Sequence, residues 1–173
     1  MTTTMHPTET ELRTVVRHRD EGPATWTLNG LITTKASHAE TGSAYGLMEH
    51  VMTSASNPPL HVQTDEEEAF YVVEGEVEFE VDGELLLARP GTFALVPRGA
   101  THRFRVMTET ARVLVLVSSP EGAPGGGLES FFRRVGEPAP TATVPTPTQP
   151  DLEVVGRLAH DCGIELLGPP ATS

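Results

Sequence analysis

The chain has 173 residues and a formal net charge of −12, from 12 Lys+Arg against 24 Asp+Glu. That length suits one domain with tails, and the acidic balance argues against nucleic acid or an anionic membrane as partner, since both demand a basic surface. Cys162 is the only cysteine, which excludes an internal disulfide and any cysteine-based zinc cluster.

Residues 1–22 are Thr-rich and charged and read as a leader. The start "MTTTMHPTETELR" has no apolar signal region, and the longest apolar run, Val113 to Val117, is strand-sized rather than membrane-sized. A soluble, cytoplasmic protein is the expectation. Arg17 and Arg19, like Arg133 and Arg134 later, read as solvated charges.

Residues 23–120 carry an all-β pattern. Asn29-Gly30, between "TWTL" and "LITT", reads as a type I′ hairpin turn. Tyr45 to Met52 is a further strand, closed by "SASNPP", and its inward face is expected to carry Met48, His50 and Met52. Glu49 has the competing claim if the strand faces the other way. His61 to Gln63 and Glu68 to Val73 are two more strands, with Asp65 to Glu67 a solvated turn between them. In "EVEFEVDGELLLARPG", Glu76, Glu78 and Glu80 alternate with Val77, Phe79 and Val81, giving one dry and one wet face. Asp82-Gly83 turns that strand back. "TFALVPRGATHRFRV" and "ARVLVLV" complete about ten short strands, which imply a sandwich or barrel rather than alternating β and α.

Beyond the barrel the composition shifts. Residues 121–136 form a Gly-rich breaker, "EGAPGGG", and a short helix, "LESFFRRV"; residues 137–150 form a Pro/Thr-rich linker. In residues 151–173, Asp151 caps a helix whose apolar positions Leu152, Val155, Leu158 and Ala159 share a face. That helix and "GIELLGPP" are expected to dock on the barrel or on a second subunit.

Strand periodicity selects the chemistry. His61 and Gln63 share a face, and Glu68 shares one with Phe70 and Val72. In "THRFRV", His102, Phe104 and Val106 alternate with Thr101, Arg103 and Arg105. The arginines must face water, so His102 points inward. An inward carboxylate without a partner would be costly or would shift its pKa upward. A divalent metal removes that problem, since two imidazoles and one carboxylate form a facial ligand set. A polar network without metal is the bland alternative. For Gln63 the choice lies between a fourth, neutral oxygen ligand and a residue that contacts the ligands or substrate. Met48, Met52, Phe70, Val72, Val96 and Phe104 are core residues first and pocket lining second, and Trp26 is expected to cover the barrel mouth. Tyr71 and Val73 leave the outer face of their strand apolar, for which a partner subunit is the natural cover.

These motifs resemble the cupin superfamily. Its first motif places two histidines one residue apart, then a glutamate and a glycine; His61, Gln63, Glu68 and Gly75 fall on those positions. The second runs from a glycine to Pro-x-Gly-x-x-His; Gly91, Pro97, Gly99 and His102 match it. "EEAFYVVEGEVEF", "GTFALVPRGATHRF" and "GIELLGPP" are similar to quercetinase-like single-domain cupins of bacteria. The sequence departs from the family at Ala55 (for a glycine), at Val106 (for an asparagine) and at Gln63 (for the second histidine ligand). The resemblance implies a jelly-roll barrel, one divalent metal per chain (Fe, Mn, Ni or Zn) held by His61, Glu68, His102 and Gln63, and a homodimer. It also implies dioxygenase chemistry on a flavonol-like or β-dicarbonyl substrate, with Glu68 as general base. A non-redox cyclase or isomerase of a polyketide-like substrate, and a small-molecule-binding cupin without turnover, are the competing expectations.

Overall fold

The computed structural model describes residues 13–118 and 126–170. Leader residues 1–12 and most of the expected Gly-rich breaker lie outside them. The strands are β1 (Ala24–Thr27), β2 (Gly30–Ala36), β3 (Tyr45–Thr53), β4 (Pro59–Gln63), β5 (Glu68–Glu74), β6 (Val77–Val81), β7 (Glu84–Ala88), β8 (Phe93–Val96), β9 (Thr101–Val106), β10 (Thr110–Ser118), β11 (Glu137–Pro138) and β12 (Ile164–Pro170). Two helices follow the barrel, α1 (Gly127–Val135) and α2 (Leu152–Asp161).

The strands form two facing sheets, ordered β11-β1-β2-β3-β10-β5-β8 and β12-β4-β9-β6-β7, with every pairing antiparallel. This is the expected jelly roll with short helices. Alternation explains it: inward Val77 and Phe79 from one sheet meet Phe70, Val72, Val113 and Val115 from the other, all buried. The Phe70 and Phe79 rings lie 4.8 Å apart. Removing such side chains from water stabilises the fold by about 1.5–3 kcal/mol each. On the wet side, Glu78 faces Arg105 and Glu80 faces Arg103 across the β6–β9 register, each pair at 2.6 Å.

Three expectations are corrected here. The first hairpin turns at Leu28-Asn29, both at positive φ, and Gly30 begins β2. Leu152 on α2 is exposed, leaving Val155 and Ala159 as the buried positions, although Asp151 caps the helix as expected by accepting from the Glu153 and Val154 amides. Arg17 is not a free solvated charge: it pairs through both terminal nitrogens with Glu40 and donates to the Lys35 carbonyl.

The tails are built into the barrel. β12 pairs with β4, placing Ile164 beside Gln63 and Leu166 beside His61. β11 pairs with β1, and the linker carbonyl of Thr143 accepts from the Trp26 indole, so Trp26 is held at the linker and does not line the interior cavity. Among the described residues, no helix is long and apolar enough to cross a membrane.

Candidate metal centre and its cavity

β4 and β9 are hydrogen-bonded neighbours whose register sets His61 directly opposite His102. Glu68 opens β5 in the other sheet, where Val96 and Val117 flank it. The three residues therefore meet across the barrel interior. One ligand atom from each lies within 4.8 Å of the others, and all three are nearly or fully buried.

Hydrogen bonds fix the chemistry of these groups. His61 Nδ1 lies 3.0 Å from the Pro59 carbonyl and His102 Nδ1 3.1 Å from that of Ala100. Both Nδ1 atoms must therefore carry the proton, since a carbonyl can only accept. Each Nε2 then keeps its lone pair. His102 Nε2 sits 3.1 Å from Glu68 Oε2, so two acceptors face one another in a buried space. Something positive must lie between them, a proton or a metal cation. Burial lowers the His102 pKa, but the hydrogen bond and charge of Glu68 outweigh it and the net shift is upward. His61 goes the other way, to about 4, chiefly through burial and then through the proximity of His102.

Gln63, one strand position pair beyond His61, donates from Nε2 to Glu68 Oε2 at 2.8 Å. Its Oε1 is buried without a hydrogen-bond partner among the described residues. An orphaned buried oxygen, two imidazole lone pairs and a carboxylate make a donor set that suits a divalent ion. His61, Glu68 and His102 are thus a group able to hold one.

Beside the centre is a cavity of about 70 Å³. His61, Glu68, Phe70, Phe104 and His50 supply its barrel walls, and Leu128, Phe131 and Phe132 of α1 close it, with Ile164 and Leu166 of β12. His50 faces inward as expected, and burial pushes its pKa down to about 3. Met48, Met52 and Val72 are buried core residues that do not line the cavity. Glu49 points to the outer face, where Arg112 holds it at 2.5 Å. A wider groove on that outer face carries several cations, but Arg17, Arg19, Lys35 and Arg112 are all paired with Glu40, Glu49 or Glu74, and it lies on the opposite side of the sheet from the centre.

The acidic turn differs from expectation. Glu66 is 3% exposed, not solvated. Its Oε2 accepts from the Leu128 amide at 2.7 Å, capping the start of α1, while Oε1 has no partner among the described residues. A Cβ on Gly127 would lie 1.9 Å from Glu66 Oε1, so only glycine lets the helix approach. Burial raises the Glu66 pKa to about 7 against that hydrogen bond. A second clasp joins Glu129 of α1 to His38 at 2.8 Å. These helix contacts escaped sequence reasoning; the amphipathic "LESFFRRV" was their one visible signal.

Residues 47–118 match the cupin domain family. Over 56 residues the chain is 36% identical to a quercetin 2,3-dioxygenase of Bacillus subtilis (strain 168), covering 32% of this chain and 17% of that protein. The chain thus spans about a sixth of that relative's length. Among solved structures, a predicted oxalate decarboxylase from Thermotoga maritima superposes with TM-score 0.55 at 18% identity, covering 62% of this chain and all of that one. The polyketide cyclase RemF from Streptomyces resistomycificus gives TM-score 0.47 at 22% identity, over 68% of this chain and 79% of its own. The first of these shows a shared fold.

Proposed function

The barrel is a cupin domain, and from that premise we propose that the protein is a metal-dependent enzyme that oxygenates a small, largely apolar enol or phenol. The observation that carries this reading is the buried convergence of His61, Glu68 and His102, with acceptor facing acceptor across 3.1 Å. The partial likeness to a quercetin 2,3-dioxygenase supports the oxygenase over other cupin reactions.

His61, Glu68 and His102 would hold the ion, with Gln63 Oε1 available as a fourth donor. A divalent metal there would lower the pKa of a substrate hydroxyl and, if iron, manganese or nickel, supply the redox chemistry that oxygen use requires. The chain's own residues do the rest. Glu68 accepts the substrate proton at a carboxylate oxygen. Gln63 Nε2 holds that carboxylate through Oε2, the oxygen that also faces His102. Phe104, Phe131, Phe132 and Leu166 exclude water from the reacting molecule.

Gln63 favours one second reading. An amide oxygen in place of an imidazole is a harder donor, which suits Lewis-acid enolisation by a redox-silent ion such as zinc and hence a cyclase or isomerase. Both readings take a small-molecule substrate, and both are compatible with a homodimer formed through the outer sheet face.

Elemental mass spectrometry of protein purified without chelator, paired with oxygen-uptake assays on flavonols and β-dicarbonyls, tests them. Stoichiometric iron, manganese or nickel that disappears in His61→Ala and His102→Ala, with oxygen consumed, is the expected result. Zinc without oxygen uptake would move the assignment to the cyclase or isomerase. Neither metal content nor uptake on soaking would sink both and leave a binding protein.

A further inference from the structure

One polar group in the cavity wall has nothing to bind. His50 is 7% exposed, and among the described residues no hydrogen bond reaches its ring; Nε2 is buried outright. A Cβ on Gly30 would lie 2.5 Å from His50 Nε2 and 3.2 Å from Cδ2, so that edge of the ring packs on Gly30. The opposite edge, carrying Nδ1, faces away from Gly30, and the ring lines the same cavity as His61 and Glu68. Phe104 and Phe132 stand edge-on to it at 6.3 and 5.8 Å, fixing its plane without offering an acceptor.

A neutral imidazole carries one N–H and one lone pair. Nε2 against Gly30 can reach no acceptor, and an orphaned lone pair is tolerated better than an orphaned N–H. The proton therefore belongs on Nδ1. Among the described residues no lysine or arginine lines the cavity, so away from the metal centre nothing offsets an anionic group. The volume of about 70 Å³ is below the roughly 150 Å³ that accommodates benzene. Leu128, Phe131 and Phe132 of α1 close this space, which favours a compact molecule over a three-ring flavonol.

We propose that His50 orients the substrate: its Nδ1–H donates to a carbonyl oxygen of a compact, neutral, enolisable molecule whose second oxygen faces His61, Glu68 and His102. This rests on the metal-dependent reading above and narrows its substrate to the small hydroxycarbonyl or β-dicarbonyl class.

The test uses the full chain stripped of metal, so that it does not depend on turnover. Pentane-2,4-dione is titrated in while the His50 ring nitrogens are followed by long-range proton–nitrogen NMR. Its Kd is measured for wild type, His50→Leu and His50→Asn, and xenon binding reports whether each variant keeps the cavity. The expected result is movement of the His50 nitrogens at saturation and at least tenfold weaker binding in His50→Leu. His50→Asn, whose amide can occupy the Nδ1 position, should recover most of the loss, and xenon binding should persist throughout. The inference is overturned if the probe does not bind wild type, if the His50 nitrogens do not move, if His50→Leu binds within twofold of wild type, or if quercetin outcompetes the diketone and displaces xenon. Where both variants lose the cavity, the wild-type resonances alone decide. Probe binding through His50 in a chain that takes up no metal would sink the metal-dependent reading and leave this one standing; metal uptake with silent His50 nitrogens would do the reverse.

Discussion

His61 and His102 face each other on adjacent strands with ring centroids 4.1 Å apart, each turned by a backbone carbonyl so that Nε2 points inward. Two imidazoles this close cannot both be protonated without strong repulsion. Burial and this proximity keep His61 neutral above about pH 4, while Glu68 holds the His102 pKa above its usual value.

Metal binding must displace that proton. Affinity for a divalent ion should therefore climb about tenfold per pH unit below the raised His102 pKa and level off above it, with one proton released. Calorimetry in buffers of different ionisation enthalpy reads both quantities. Affinity that stays flat between about pH 5.5 and 8, a range spanning the usual histidine pKa, would contradict the assignment. The same pair gives the metal-free protein a stability term that is fully present below the ordinary histidine pKa and fades as pH rises through the elevated one.

Gln63 acts on Glu68 through a single buried hydrogen bond of 2.8 Å. Gln63→Leu removes a donor from a carboxylate that cannot turn to water, so metal affinity should drop about 10- to 100-fold, as for other partners of ligating groups. Gln63→His adds an imidazole and should raise affinity for zinc and copper. Competition against a chromophoric chelator measures both; an unchanged Gln63→Leu would show that the amide plays no part.

Glu66 supplies a second pH signature. Its pKa rises from an ordinary carboxylate value to about 7 on folding, so between about pH 4.5 and 7 the folded chain holds a proton that the unfolded chain has released. Stability must fall across that window, by about 3 kcal/mol at most, and level off above it. Glu66→Gln, still able to accept from the Leu128 amide, should flatten this decline. Denaturant midpoints of chelated wild type and variant across pH compare them; parallel curves would refute the burial argument.

Much of this was legible in strand alternation. Arg103 and Arg105 had to face water, which forced His102 inward, and the Glu78 and Glu80 side of β6 met those arginines as ion pairs. What alternation does not carry is the contact between distant segments. Glu66 looked solvated because its charge outweighs any local signal, and its burial depends on α1 arriving at Gly127 from far along the chain. Leu166 joined the cavity for the same reason: a strand period says which face is dry, not which strand it will pair with. Gly30 was read as a turn residue, yet its structural use is to leave room for His50.

The outer sheet face yields the last prediction. Tyr71 on β5 pairs with Phe93 on the edge strand β8, and Ala69 with Leu95. Phe93 is 64% exposed and Leu95 55%, and Leu116 on β10 continues the patch. Contiguous apolar surface of this kind beside an unpaired strand edge is unfavourable in water and invites association. A two-fold partner would bury the same patch on both copies. Phe93→Glu then places two carboxylates in one apolar contact, so a dimer formed through this face should revert to monomer in sedimentation velocity while metal content stays unchanged, because Phe93 points away from the barrel interior. A wild type that sediments as a monomer at about 100 μM, a concentration at which an interface worth 8 kcal/mol would be well populated, would remove the need for any partner there.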